Sequence, residues 1–456
     1  MPTSSVPMAV QEIATLIQDL DLTVRYLPPQ TLVAFGRKTR THTKAHIELM
    51  AKVMGEFGCI VPIIVDENDK VLAGNGRVEA ACVLGLTRVP TVKVSHLSAA
   101  QKRAFVIADN RLGELAGWDR DTLRIELEEL RDLDLSFELE LTGFTDAKID
   151  GLLASCTDGD HKADHVPMCP EAPASRAGDI WLLGEHRLVC GDATDPSVIA
   201  AVLMGDGVRT VFTDPPYNQR VSGHVTRNPR HDEFVMASGE MSDKDFTLFL
   251  AKVWAAIETA LVPGGLAYLC MDWQHLRHLQ DALDATALEP LNLIVWDKQI
   301  SGMGSFYRSR HELVFLAKKP GAAHANRIQL GTNGRDRSNV WEYQGMGGFG
   351  AGKAKARDLH PTVKPMAMVR DALLDSSDRG EVVLDLFSGS GTTLIAAEAS
   401  KRRGRAIELD PLYADTSVIR WQDYTGKEAL LAESGETFAQ VRAKRADAQT
   451  LQEAGQ

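Results

Sequence analysis

Residues 178–426 alternate short apolar runs with stretches whose apolar positions recur at helical spacing. The runs at Arg187–Cys190, Arg209–Thr213, Leu266–Cys270, Leu291–Trp296, Glu312–Ala317, Glu381–Phe387 and Arg405–Leu409 read as buried strands. Seven strands with helices between them predict an α/β fold with a Rossmann-like, doubly wound, open parallel sheet. Residues 21–118 repeat the alternation on a smaller scale, with strands at Val61–Val65 and Val89–Val94 and helical spacing over Thr43–Phe57, and predict a smaller α+β domain behind an N-terminal segment, 1–20. Residues 119–150 form an acidic helical region; positions 121–150 hold ten acidic and three basic residues, a net of −7, best read as a solvated helix face. From 151 to 177 the apolar period is lost among Asp158-Gly159-Asp160, Pro167, Pro170 and Pro173, which predicts a linker. The stretch 427–456 reads as a polar, frayed helix. Two long polar interruptions, Asn218–Ser242 and Lys318–Leu359, are of the length that loops reach when they carry function or are disordered.

Composition narrows the class without choosing a function. A chain of 456 residues has room for two or three domains, and 44% hydrophobic with 25% charged residues is ordinary for a soluble globular protein. No run of 18 apolar residues occurs, so no membrane span is expected, and Met1–Val10 lacks the basic start and apolar core of a secretion signal. Cys59, Cys82, Cys156, Cys169, Cys190 and Cys270 are scattered, with no CxxC pair, which predicts reduced thiols in a cytoplasmic protein and no metal site. A formal charge of −12 argues against a protein coated with nucleic acid but leaves room for a local basic cleft.

The chemistry concentrates at two strand ends. Asp214-Pro215-Pro216-Tyr217 follows the apolar run Val211-Phe212-Thr213, and Asp385-Leu386-Phe387-Ser388-Gly389-Ser390-Gly391 follows Val382-Val383-Leu384 and leads into a helix start at Thr392-Thr393. Such corners are where open α/β sheets bind ligands. The prolines lack N–H donors, so their carbonyls are free to accept from an outside group, and the Asp214 carboxylate is a second acceptor. An exocyclic –NH₂ of adenine or cytosine offers the two matching donors, and Tyr217 can stack on the base. The glycine loop lets a nucleoside approach the backbone, and Glu408, about 20 residues further on, stands where a ribose-binding acid is expected. Either corner alone is equally well read as a turn; the pair is far more specific.

As a set these residues resemble the S-adenosylmethionine-dependent DNA amino-methyltransferases, which methylate adenine N6 or cytosine N4. Asp214–Tyr217 is similar to that family's catalytic motif. Phe387-Ser388-Gly389-Ser390-Gly391-Thr392-Thr393 is similar to its cofactor loop, and His360-Pro361-Thr362-Val363-Lys364-Pro365 to its HPTxKP segment. The resemblance spans 178–426 and has the circularly permuted motif order of the beta group. It implies Asp214, Pro215, Pro216 and Tyr217 as catalytic residues. It further implies a cofactor site of Asp192, Thr362, Lys364, Pro365, Asp385, Phe387, Ser388, Gly389, Gly391, Thr392, Thr393 and Glu408. The target base must be flipped out of duplex DNA, with no metal. Acid at position 214 leans towards adenine, because many cytosine-N4 members carry Ser there.

Between 318 and 358 eight basic and three acidic residues give a net of +5, with Trp341, Tyr343 and Phe349 interleaved. In the resembling family the target-recognition region lies in a similar place. Lys298, Arg308, Arg327, Arg335, Arg337, Lys353 and Lys355 are therefore expected on DNA, within or beside an insert at about 318–359 that selects the target sequence. The pair His311-Glu312 reads as structural. Ala73-Gly74-Asn75-Gly76-Arg77, with Leu86–Pro90 and Asp109-Asn110-Arg111, resembles the ParB/sulfiredoxin-like domain over residues 21–118. It implies a nucleotide or phosphate site at Gly74, Gly76 and Arg77, or an accessory DNA-binding module; a plain turn reads equally well. Two departures matter: Asn75 stands where sulfiredoxins carry their catalytic Cys, and an acidic helix and linker follow where partition proteins have a helix-turn-helix. Such fusions are familiar from phage and prophage restriction-modification enzymes. The nearest alternative is cytosine-N4 methylation; the intact Asp214–Tyr217 and Gly389–Thr393 sets argue against a decayed methyltransferase serving a DNA-binding regulator, and the permuted order and large insert argue against methylation of RNA or protein. A homodimer is a further expectation.

Overall fold

The computed structural model describes residues 22–37, 39–133, 135–154, 163–219, 239–299, 306–328, 337–345 and 363–454. Of the expected site residues, Arg335, Lys353, Lys355 and Thr362 lie outside the described residues, as do most of the loop after Gln219 and most of the basic insert. The chain divides into two compact units, 1–145 and 146–456. No helix among the described residues is long and apolar enough to cross a membrane.

The first unit runs β1 Val24–Leu27, β2 Val33–Ala34, α1 Lys44–Phe57, β3 Ile63–Val65, β4 Lys70–Ala73, α2 Asn75–Val83, β5 Val89–Lys93, α3 Ala99–Leu115 and α4 Arg120–Asp132. Thr43 caps α1 by accepting from the His46 N–H at 3.2 Å, and Ile47, Ala51 and Met54 form its buried stripe. The stripe packs on a mixed sheet of order β1-β5-β3-β4-β2, whose Ile63, Val65 and Val71 are buried.

The second unit begins with α5 Asp146–Ala154, β6 Ile180–Leu183, β7 His186–Cys190, α6 Pro196–Leu203, β8 Val208–Thr213, α7 Asp243–Ala260, β9 Leu261–Met271, α8 Leu276–Leu283 and β10 Glu289–Asp297. It continues with β11 His311–Lys318, β12 Val340–Glu342, α9 Met366–Ser376, β13 Val382–Asp385, α10 Thr392–Ala399, β14 Arg403–Glu408, α11 Pro411–Thr425, β15 Leu430–Leu431 and α12 Phe438–Ala454. All seven expected strands occur here, but among the described residues the sheet has ten strands in the order β12-β10-β11-β9-β8-β13-β14-β7-β6-β15 and is mixed. The parallel core β9-β8-β13-β14-β7 meets antiparallel pairs at β9/β11 and β7/β6. The extra strands escape a periodicity reading because β12 and β15 are three and two residues long and β6 is separated from β7 only by a tight turn at Gly184, φ +60°.

Two further expectations need correction. The stretch 151–177 is no free linker where it is described: Ala163 and Ala174 are buried, and the Ala174 and Ser175 amides donate to Asp415 at 2.5 and 2.9 Å. The C-terminal stretch is not merely polar: β15 pairs with β6, and Phe438 and Val441 are buried, with the Phe438 ring 5.2 Å from that of Trp181. In both places a few apolar residues among many polar ones suffice to dock the segment, which average polarity hides.

Candidate active site

The buried strand β8 ends at Thr213, ahead of Pro215 and Pro216, which cannot continue a ladder, so Asp214 leaves the sheet at its C-terminal edge. Its neighbour is β13, in parallel register with Val383 opposite Thr210 and Leu384 opposite Val211. This pairing brings the two motifs together. Thr213 Oγ1 donates to Asp385 Oδ1 at 2.9 Å across 172 residues of sequence and accepts from the Leu386 amide at 3.1 Å.

At the first corner Tyr217 OH donates to Asp214 Oδ1 at 2.6 Å. Lys364 Nζ donates to Asp214 Oδ2 at 2.6 Å and lies 3.0 Å from Glu312 Oε2. Lys298 donates to the other Glu312 oxygen. Lys364 Nζ also sits over the Tyr217 and Trp296 rings, 5.6 and 5.8 Å from their centroids. Burial raises the Asp214 carboxyl above its ordinary value; Lys364 opposes the rise and Glu312 adds to it. Burial also works against the Glu312 carboxylate, but Lys364 and Lys298 outweigh it and hold the group down to about 2. Burial, then Asp214 and Glu312, push the Tyr217 phenol well up, which keeps it a donor.

The second corner is built without leading cationic partners. Asp385 accepts from Thr393 Oγ1 at 2.6 Å and the Phe387 amide at 3.1 Å. Glu408, at the end of β14, accepts from the Gly389 amide at 2.6 Å and the Asp410 amide at 2.9 Å. Burial moves Asp385 up to about 6 and Glu408 up to about 8. Gly391 has φ +80°, and a Cβ there would lie 2.9 Å from Ser417 Oγ, so this glycine serves the seating of α10 against α11. Ser388 Oγ is buried with no partner among the described residues. Pro365 caps α9 and is buried. Asp192 follows β7, the neighbour of β14, and its Oδ1 closes a turn by accepting from the Thr194 amide and hydroxyl at 2.8 and 2.9 Å.

Several expected residues sit elsewhere than their motif or charge implied. Lys364, expected at the cofactor loop, binds Asp214. Lys298, expected on DNA, neutralises Glu312. Arg337 is turned inward: it lies 3.0 Å from Asp371 and 2.8 Å from Asp375 and covers the Trp341 ring at 5.0 Å, so phosphate would have to displace two carboxylates. Arg327 pairs with Asp378. Arg308 alone of the described set stays exposed, beside Phe306 and Tyr307, which are 85% and 83% exposed. These two rings, and Glu312, which reads as structural from sequence, are functional candidates that no motif marks. An exposed aromatic pair between two strands was visible as a signal; the surroundings of Glu312 were not.

In the first unit Gly74, Gly76 and Arg77 do come together, lining a cavity of about 430 Å³ with Arg37, Arg40 and His42. Gly74 has φ +103°, and a Cβ there would lie 3.0 Å from the Arg77 guanidinium.

The sequence pattern of the N6/N4 family described as DNA methylase matches residues 208–419. That of a ParB-methyltransferase HTH domain matches residues 121–177, which overturns the expectation that only an acidic helix and linker follow the N-terminal domain. The acidic face of α4 is real, but Leu127 within it is fully buried, so the helix carries a packing side as well. The Type II methyltransferase M.HpaI of Haemophilus parainfluenzae is 26% identical over 253 residues, 52% of this chain and 74% of its own. The ParB-like nuclease domain-containing protein YnaK of Escherichia coli K12 is 33% identical over 82 residues, 18% of this chain and 94% of its own. A solved complex of M1.HpyAVI with SAM is 17% identical, covers 51% of this chain and 98% of that one, and has a TM-score of 0.37.

Proposed function

We propose that this chain, which carries an N6/N4 DNA methylase domain together with a ParB-methyltransferase HTH domain and a ParB-like N-terminal region, methylates the N6 amine of a flipped-out adenine in double-stranded DNA, with S-adenosylmethionine as donor. The observation that carries this reading is the Asp214 carboxylate, held from both sides by Tyr217 and Lys364 at the edge shared with the glycine loop.

The second corner fits the cofactor. Asp385 and Glu408 are buried carboxylates whose leading partners are hydroxyls and amides, a setting that favours a cationic nucleoside, and the unpartnered Ser388 Oγ is a further polar contact for it. Glu408 would take the ribose hydroxyls, and the loop from Phe387 to Thr393 the amino-acid end. When bound, S-adenosylmethionine supplies a methyl group activated by its sulfonium.

The chain's own task is to hold the amine in line and loosen its lone pair from the ring. Asp214 and the Pro215 carbonyl accept the two amine hydrogens, which favours a tetrahedral, nucleophilic nitrogen, and Tyr217 packs on the base. DNA is met at the same sheet edge, by Arg308, Phe306 and Tyr307. In the first unit, a phosphorylated ligand suits the cavity around Gly74, Gly76 and Arg77. The test of the main reading is to hydrolyse DNA from cells expressing the chain and identify its nucleosides by mass. N6-methyladenine is expected. N4-methylcytosine overturns the base assignment, and unmodified DNA the activity.

A further inference from the structure

Glu312 lies in the middle of no motif, yet it is one of two carboxylates on a single buried lysine. Lys364 Nζ is 2.6 Å from Asp214 and 3.0 Å from Glu312, and Lys298 closes the far side of Glu312. Side-chain exposure is 8% for Lys364 and 17% for Glu312, so both charges have left most of their water. A buried charge is tolerated only where it is paired. Here two cations face two anions: Asp214 from the β8 loop, Glu312 from β11, Lys298 from the end of β10 and Lys364 from the segment before α9.

We propose that Lys364 and Glu312 are positioning residues for Asp214: Lys364 fixes the Asp214 carboxylate as an acceptor for the substrate amine, and Glu312, balanced by Lys298, holds Lys364 in place. This rests on the methyltransferase reading above and goes beyond it, because the segment containing Lys364 was expected at the cofactor.

The arrangement leaves one oxygen of Asp214 bound by Tyr217 and the other by Lys364, so neither can swing away. The other titratable groups facing Asp214 are Glu312 from β11, the Cys270 thiol from β9, which burial pushes up and so keeps neutral, and Asp385 from β13. Of these neighbours only Lys364 favours the ionised form of Asp214 by its charge, and Glu312 disfavours it. The two partners therefore act on Asp214 in opposite senses. Loss of Lys364 moves the acid limb of turnover to higher pH. Loss of the Glu312 charge moves it to lower pH while loosening Lys364.

The test is methyl transfer to DNA by the full chain under saturating S-adenosylmethionine, followed as kcat and KM from acid to neutral pH, with cofactor affinity by calorimetry. For Lys364→Met we expect kcat to fall roughly 10- to 100-fold, the scale of a lost charged hydrogen bond. Its acid limb should move up in pH, and cofactor affinity should be retained. Lys364→Arg should recover part of kcat. Glu312→Gln should lower kcat less and move the acid limb down. If Lys364→Met does not fold, the limbs of Lys364→Arg and Glu312→Gln decide, and a Glu312→Gln limb that stays in place overturns the proposal. So does a folded Lys364→Met enzyme with wild-type kcat and limb, or one that loses cofactor affinity instead of turnover. A wild-type chain that transfers no methyl group overturns this inference together with the reading it rests on, whereas an active wild type with unaltered variants overturns this inference alone.

Discussion

The two corners at the edge of β8 and β13 carry acids in opposite electrostatic settings. At the β8 corner Asp214 and Glu312 are balanced by Lys364 and Lys298. At the β13 corner Asp385 and Glu408 are held by hydroxyl and amide donors, and burial raises them to about 6 and about 8. The difference teaches what each corner can accept. The balanced corner suits a neutral partner such as an amino group on a base. The uncompensated corner suits a ligand that brings its own positive charge.

The strongest way to break this comparison is to remove the acid from the balanced corner. Asp214→Ala should cut turnover by roughly 100- to 1000-fold, the scale of losing a preorganised partner at the reacting group, with cofactor affinity kept. Single-turnover kinetics beside calorimetry measure both. A folded variant that turns over normally would mean that the balanced corner does not face the reaction.

The second corner depends on its backbone, so its weak point is a glycine. Gly391→Ala forces a side chain into φ +80° against Ser417 and should cost about 2–3 kcal/mol in chemical denaturation. Unchanged stability would show that the loop can move aside, against its description as a seated helix start.

The charge difference itself is tested through Glu408. A ligand whose hydroxyls donate to this group selects the carboxylate, and the free group is raised to about 8. Cofactor affinity should therefore rise with pH through the neutral range and level off above about 8. Without ligand the sign is reversed for stability: a carboxyl raised in the folded state loses stability as pH climbs from its ordinary value towards about 8. Glu408→Gln should flatten both dependences and weaken cofactor binding by about 1–3 kcal/mol. Equal pH slopes in wild type and variant would remove Glu408 from the cofactor site.

The smallest effect is expected at the rim. Replacing Phe306 and Tyr307 by Ala should weaken DNA binding by roughly 1 kcal/mol per ring, the low end of the stacking scale, with cofactor affinity unaltered. Fluorescence anisotropy with duplex DNA measures it. Unchanged DNA affinity would place the DNA elsewhere than this edge.

The sequence by itself determined what depends on a few adjacent residues. Prolines end β8, glycines at 389 and 391 take φ of +52° and +80°, and apolar runs mark each of the seven expected strands. The chemistry of Asp214–Tyr217 and of the glycine loop was legible for the same reason, since backbone permissions and side-chain types are local properties. Only the tertiary structure decided which distant charges meet. Lys364 reaches Asp214 across 150 residues because α9, which it precedes, is tied to β8 through the Ser376–Thr210 hydrogen bond, and Glu312 reaches Lys364 because the antiparallel hairpin of β10 and β11 is laid against β9. Arg337 shows the converse: a basic residue in a basic insert reads as a phosphate ligand until the fold places Asp371 and Asp375 against it. A charge carries no record in the sequence of its partner, because Coulombic pairing depends on distance and burial, and both are set by strand order.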